Sequence, residues 1–124
     1  MVKTDKKINL YLDEYKFNEA SNEIYHFIWH IFCDWYLELI KPYFDSSDSE
    51  HLDEIKAVTA FSLKFILTKL HPFMPFITEE LWENLGYKEK PLILSEWDLN
   101  LPEKEDVKLS LNTNFIINAY SVRF

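Results

Sequence analysis

An all-α fold is the class this sequence predicts: a bundle of amphipathic helices with a less regular C-terminal tail. Three observations predict it. Apolar residues recur at helical spacing over two long stretches, 17–41 and 52–70. The longer stretch carries two adjacent apolar stripes, which need at least two packing neighbours, as in a bundle. Helix-stopping and helix-starting residues separate the stretches, with Pro42 closing one and Pro72 and Pro75 framing a later joint. Filling for the core is ample, since 48% of the 124 residues are hydrophobic and ten Phe, seven Tyr and four Trp are among them.

Taken in order, residues 6–14 form a first helix with Ile8, Leu10 and Tyr11 apolar and Tyr15 just beyond. A long helix follows over 17–41. At about 100° per residue, Phe17, Ala20, Ile24, Phe27, Ile28, Ile31, Trp35 and Leu39 share one stripe, and Tyr25, Trp29, Phe32, Tyr36 and Ile40 share the next. Its length would be about 37 Å, and Pro42 ends it. After the polar turn Asp45-Ser46-Ser47-Asp48-Ser49, a further helix points Leu52, Ile55, Val58, Thr59, Ser62, Phe65, Ile66 and Leu70 inward. A shorter helix runs over 75–85 with Gly86 placed to cap it. Thr78, Glu79 and Glu80 put a capping oxygen and negative charge near the positive start of that helix. Leu92-Ile93-Leu94 is extended or irregular, and Trp97 anchors it on the bundle. Residues 103–124 form a last helix with Val107, Leu111, Phe115 and Val122 inward.

Composition narrows function. One domain fits the length. No apolar run approaches the roughly 20 residues of a membrane helix, and Met1-Val2-Lys3-Thr4-Asp5-Lys6-Lys7 leads into no signal-peptide core. The single cysteine, Cys33, excludes an internal disulfide and suits a reducing, cytoplasmic setting. Gly86 is the only glycine, so no glycine-rich phosphate loop or dinucleotide fingerprint is present. A net charge of -8, with Arg123 the one arginine, argues against autonomous tight nucleic-acid binding, although twelve lysines allow a local basic stripe.

Two motifs carry a resemblance. Leu70-His71-Pro72-Phe73-Met74-Pro75-Phe76-Ile77-Thr78-Glu79-Glu80-Leu81-Trp82 closely resembles the helix joint in the anticodon-binding domain of class Ia aminoacyl-tRNA synthetases. Phe32-Cys33-Asp34-Trp35-Tyr36-Leu37-Glu38-Leu39-Ile40-Lys41-Pro42 resembles the valyl branch of that family, as do Tyr15-Lys16-Phe17-Asn18-Glu19-Ala20 and Ser95-Glu96-Trp97, although Asp98 stands where a proline is common. The resemblance is good over 15–97 and loose over 116–123. It implies a helical anticodon-binding bundle over 1–97, incomplete at its N-terminal end, followed by an acidic linker and possible C-terminal helix over 98–124. It also implies a partner, the anticodon stem-loop of valine tRNA, whose unpaired bases would stack on aromatic planes. The family's two ATP-binding signatures, the editing domain and the opening helix of the anticodon domain are missing, so a fragment is expected that does not aminoacylate by itself. ATP and magnesium belong to the absent catalytic part, itself a further possible partner; DNA and membrane are not expected partners, and neither cofactor nor metal is expected in this chain.

Individual residues read less sharply. On the family match, Lys56, Lys64, Lys69 and His71 are candidate RNA contacts, with Lys16 and Asn18 flanking Phe17 as further ones. Lys69 also meets the negative end of its helix. Cys33, Asp34, Trp35, Tyr36, Pro72, Phe73, Pro75, Phe76 and Trp82 form the structural signature. Within it, Asp34 is expected to tie the long helix to adjoining structure with Trp35 and Tyr36 packed, and the residues at 73–76 to close the end of the bundle. His26, His30, Cys33 and Asp34 share a helical face, but Phe27 follows the first histidine where a metalloprotease has Glu, so a solvated polar face is the reading. A competing function is a truncated helical module for protein interaction or self-association, which the acidic charge suits.

Overall fold

The computed structural model describes residues 1–45 and 49–99, with backbone alone at 45, 49, 50 and 51. Every element among these residues is helical: α1 (Val2–Asp13), α2 (Phe17–His26), a π-helical segment (Phe27–Leu37), α3 (Glu38–Asp45), α4 (Ser49–Leu70), α5 (Pro75–Asn84) and a 3₁₀ turn (Leu92–Leu94). The all-α expectation holds. The helix expected over 103–124 lies outside the described residues.

α1 begins earlier than its apolar pattern suggests and buries Thr4 and Ile8. It folds back on α2 as an antiparallel pair, with Lys7 Nζ 3.1 Å from Glu23 Oε1 across the interface. The turn between them is a Schellman cap: the Tyr15 amide donates to the Leu12 carbonyl at 3.0 Å and the Lys16 amide to the Tyr11 carbonyl at 2.7 Å. Such a cap needs a left-handed residue, and here Tyr15 supplies it at φ 57°.

The long helix continues from α2 to α3, but its middle is not α-helical. In the π segment each amide reaches back five residues instead of four, which widens the turn and rotates the buried face. Ala20, Ile24 and Phe27 are buried, as the first apolar stripe predicts; beyond Phe27 burial passes to Phe32 and Ile40, with Tyr36 half-buried. Those three belong to the second stripe. Ile31 and Trp35, expected inward, are instead 45% and 49% exposed. Pro42 does not end the helix. It lies inside α3, which runs on to Asp45; proline forfeits the bond to the carbonyl four residues back, but its fixed φ is already helical.

α4 brings Ile55, Phe65, Ile66 and Leu67 to the core. Residues 65–69 are buried consecutively, so its last turns are enclosed on all sides. Phe65 and Ile66 meet Phe27 and Phe32 of the π segment, and the Phe27 and Phe65 rings cross edge-on with centroids 5.5 Å apart. A second cluster joins Leu67, Trp82 and Leu92. α5 closes as expected at Gly86, φ 98°, with the Gly86 amide on the Glu83 carbonyl at 3.0 Å and the Tyr87 amide on the Trp82 carbonyl at 3.3 Å. Leu92–Leu94 is a 3₁₀ turn that buries Leu92 only. No helix among the described residues is long and apolar enough to cross a membrane.

Candidate nucleic-acid interface

The proline-rich joint between α4 and α5 is held from within. Amides of His71 and Met74 close the end of α4 on the carbonyls of Leu67 and Leu70, at 3.0 and 3.1 Å, and Pro75 starts α5 at its first position, where no donor is missed. Thr78 does not cap the helix, because it sits one turn in, after the N-cap Met74. Its buried hydroxyl donates to the Met74 carbonyl at 2.8 Å and lies 2.8 Å from His71 Nδ1. With the threonine proton directed to a carbonyl, His71 Nδ1 carries the donating proton. Glu79, expected at the helix dipole, instead accepts the Leu92 amide at 2.7 Å and fixes the 3₁₀ turn. The apolar joint residues do not all close the bundle: among the described residues Phe73 is half-buried, while Pro72, Met74 and Pro75 are exposed and Phe76 is 91% exposed.

The long-helix motif is likewise split by the π register. Cys33 is half-buried against the core. Asp34 faces solvent, its Oδ2 3.4 Å from Nδ1 of His30 one turn earlier, so it pairs within its own helix and not with a neighbour. Tyr36 makes the cross-helix tie that Asp34 was expected to make: its hydroxyl lies 2.7 Å from Thr59 Oγ1, which donates to the Ile55 carbonyl at 2.7 Å. Burial pushes the Tyr36 phenol up, partly offset by the bond to Thr59. His26 and His30 lie close, ring centroids 4.9 Å apart. No group of three His, Cys, Asp or Glu among the described residues is arranged to hold a metal ion.

The six candidate RNA contacts do not form one surface. Lys16 is exposed beside Glu14, Nζ to Oε2 2.6 Å, and the hydrogen bond and charge of Glu14 raise its ammonium. Asn18 is exposed near it. Lys56 lies on α4, 3.5 Å from Asp53. His71 is occupied at the joint. Lys69 is wholly buried: Nζ sits 2.7 Å from Asp5 Oδ1, donates to the Trp97 carbonyl at 3.0 Å and lies 3.9 Å over the Trp97 ring. From there it reaches no phosphate without leaving all three partners. Lys64 faces a cleft, about 460 Å³ in volume, that it lines with Trp82, Tyr87, Lys88, Lys90 and Glu96. Sequence reasoning passed over Tyr87, Lys88 and Lys90, although two lysines following the cap glycine mark a basic loop.

Aromatic surface lies elsewhere. Tyr15, Phe17, Tyr25 and Trp29 are exposed along the start of the long helix. The Tyr25 and Trp29 rings are parallel within 3°, centroids 6.4 Å apart, and both residues are more than half exposed.

Comparison with known proteins gives the family. The family described as the anticodon-binding domain of tRNA ligase matches residues 1–123. The chain is 42% identical over 108 residues to the valine–tRNA ligase of Bradyrhizobium diazoefficiens, covering 87% of the chain and 11% of that protein. With the valine–tRNA ligase of Bartonella henselae identity is 42% over 125 residues, covering 96% of the chain and 13% of the relative. With that of Agrobacterium fabrum it is 38% over 125 residues, covering 98% and 13%. The chain thus spans a little over a tenth of the length of these relatives.

Proposed function

The chain belongs to the anticodon-binding domain family of tRNA ligases, and from that premise we propose that it recognises the anticodon stem-loop of valine tRNA. One observation carries the reading: similarity to these three valine–tRNA ligases extends over 87% to 98% of the chain. Attachment of valine at the expense of ATP is assigned to the remaining length of such ligases.

The chemistry suits a single-stranded loop. Unpaired bases have two open faces, and proteins bind them by stacking on aromatic rings, at about 1–3 kcal/mol per base. Tyr25 and Trp29 present such rings, and Phe17, Lys16 and Asn18 are exposed at the start of the same helix. A second reading draws on the same exposure. Exposed aromatic side chains on a chain of net charge -8 also suit protein contact or self-association.

Binding of the purified chain to the valine anticodon stem-loop tests the proposal, beside the same hairpin with the middle anticodon base replaced, at low and physiological salt. Binding that depends on that base and survives physiological salt is the expected result. Binding that ignores the base and vanishes with salt would overturn it and favour the protein-contact reading.

A further inference from the structure

We propose that the cleft between α4, α5 and the 86–96 loop is a second RNA subsite, one that grips backbone phosphates away from the aromatic pair. The inference rests on the tRNA-binding reading above and adds a site to it. Lys64, Lys88 and Lys90 line the cleft together with Tyr87. Among the described residues Lys7, Lys16, Lys41, Lys56 and Lys69 each have an ion-pair partner. Of the five lysines left without one, Lys64, Lys88 and Lys90 converge here, and Lys3 and Lys6 stand on α1. Among the described residues, three of the five lysines without an ion-pair partner therefore share this one cleft, in a chain of net charge -8.

The loop that carries them is held in place. Gly86 takes φ 98° to turn the chain out of α5, and a Cβ there would meet nothing within 4 Å, so its role is conformational. Tyr87 stacks on Trp82 with ring centroids 4.1 Å apart, the Lys88 amide bonds the Gly86 carbonyl at 3.0 Å, and Trp82 Nε1 donates to the Lys90 carbonyl at 2.9 Å. The Leu92 amide on Glu79 pins the far side. The backbone on both sides of Lys88 is therefore ordered before a ligand arrives, which lowers the entropy lost on binding.

The lining also says which anion fits. Glu89 and Glu96 share the rim with the three lysines, so the net local charge is small and a lone phosphate gains little. A polynucleotide gains more: its successive phosphates meet separate lysines, Tyr87 offers a partly open ring, and Ser95 and the carboxylates accept hydrogen bonds from ribose hydroxyls or base amino groups.

The salt dependence of hairpin binding tests this on the full 124-residue chain. Each phosphate contact contributes about 0.7–0.9 to the slope of log K against log salt. Lys64→Gln, Lys88→Gln and Lys90→Gln combined should lower that slope by about 2 and weaken binding about tenfold at low salt, while the three Lys→Arg changes preserve both. Lys3→Gln with Lys6→Gln should leave the slope unchanged, and circular dichroism should report the same helicity for every variant. Wild-type binding with an unaltered slope in the Lys→Gln triple variant would remove the cleft and leave the tRNA reading standing. A wild-type chain that binds no hairpin would remove both.

Discussion

Tyr15 and Lys69 show how single positions depart from what their residue types favour. Tyr15 sits at φ 57°, where an L-residue with a side chain is strained by roughly 1–2 kcal/mol, and it is 81% exposed, so packing returns little. Tyr15→Gly relieves that strain at the cost of a more flexible unfolded chain. A net gain of about 0.5–1 kcal/mol is expected, read as a raised midpoint in urea unfolding; a loss would mean that the edge contact with Phe17 outweighs the backbone term. Lys69 is the reverse case, a charge buried because it has Asp5 on one side and the carbonyl and ring of Trp97 on the other. Trp97 in turn donates to Asn9 at 2.8 Å, so the lysine is the centre of a knot joining α1, α4 and the segment after α5. Lys69→Met leaves the Asp5 carboxylate beside an apolar group and should cost about 3–5 kcal/mol. Adding Asp5→Leu should recover most of that, and a double variant no more stable than the single one would show that the Trp97 contacts dominate.

At the scale of the element, the π segment decides which residues are core. A straight α-helix over 17–41 with both stripes packed would bury Ile31 and Trp35 as well as Phe32; in the π segment Phe32 is inward at 7% exposed while Ile31 is 45% exposed. Truncating the two separates the registers. Phe32→Ala should cost about 3–5 kcal/mol and Ile31→Ala less than about 1 kcal/mol; equal costs, or the reverse order, would restore the α register. The sequence pattern misses this because 100° per residue is assumed in the reading itself, and nothing in the residues from Phe27 to Leu37 signals a five-residue ladder. Features held by one residue were legible: Gly86 ends α5 because glycine takes the cap's positive φ without strain, and Pro75 starts α5 because the first turn needs no donor. Pro42 misled, since a proline that usually stops a helix is also tolerated inside one at the loss of a single bond. The burial of Lys69 was hidden for a different reason. Its partners, Asp5 and Trp97, lie near opposite ends of the described chain, and no local window contains all three.

Across the whole molecule, charge and aromatic surface make opposite demands of an RNA partner. A net charge of -8 opposes a polyanion at long range, but that opposition is screened beyond about 10 Å at 0.1 M salt. What remains is short-range: stacking at the start of the long helix and ion contacts at the lysine cleft. The two respond differently to salt, because stacking releases no counterions. Tyr25→Ser combined with Trp29→Ser should therefore weaken hairpin binding about tenfold or more while the salt slope stays as in the wild type, the opposite signature to that of the cleft variants. Fold stability should move by less than about 0.5 kcal/mol, since both rings are solvent-exposed and neither belongs to a core cluster. Sedimentation across a range of chain concentrations completes the experiment. If the double variant binds the hairpin as tightly as the wild type but abolishes a concentration-dependent dimer, the aromatic pair is a protein contact and base stacking must be sought elsewhere on the domain.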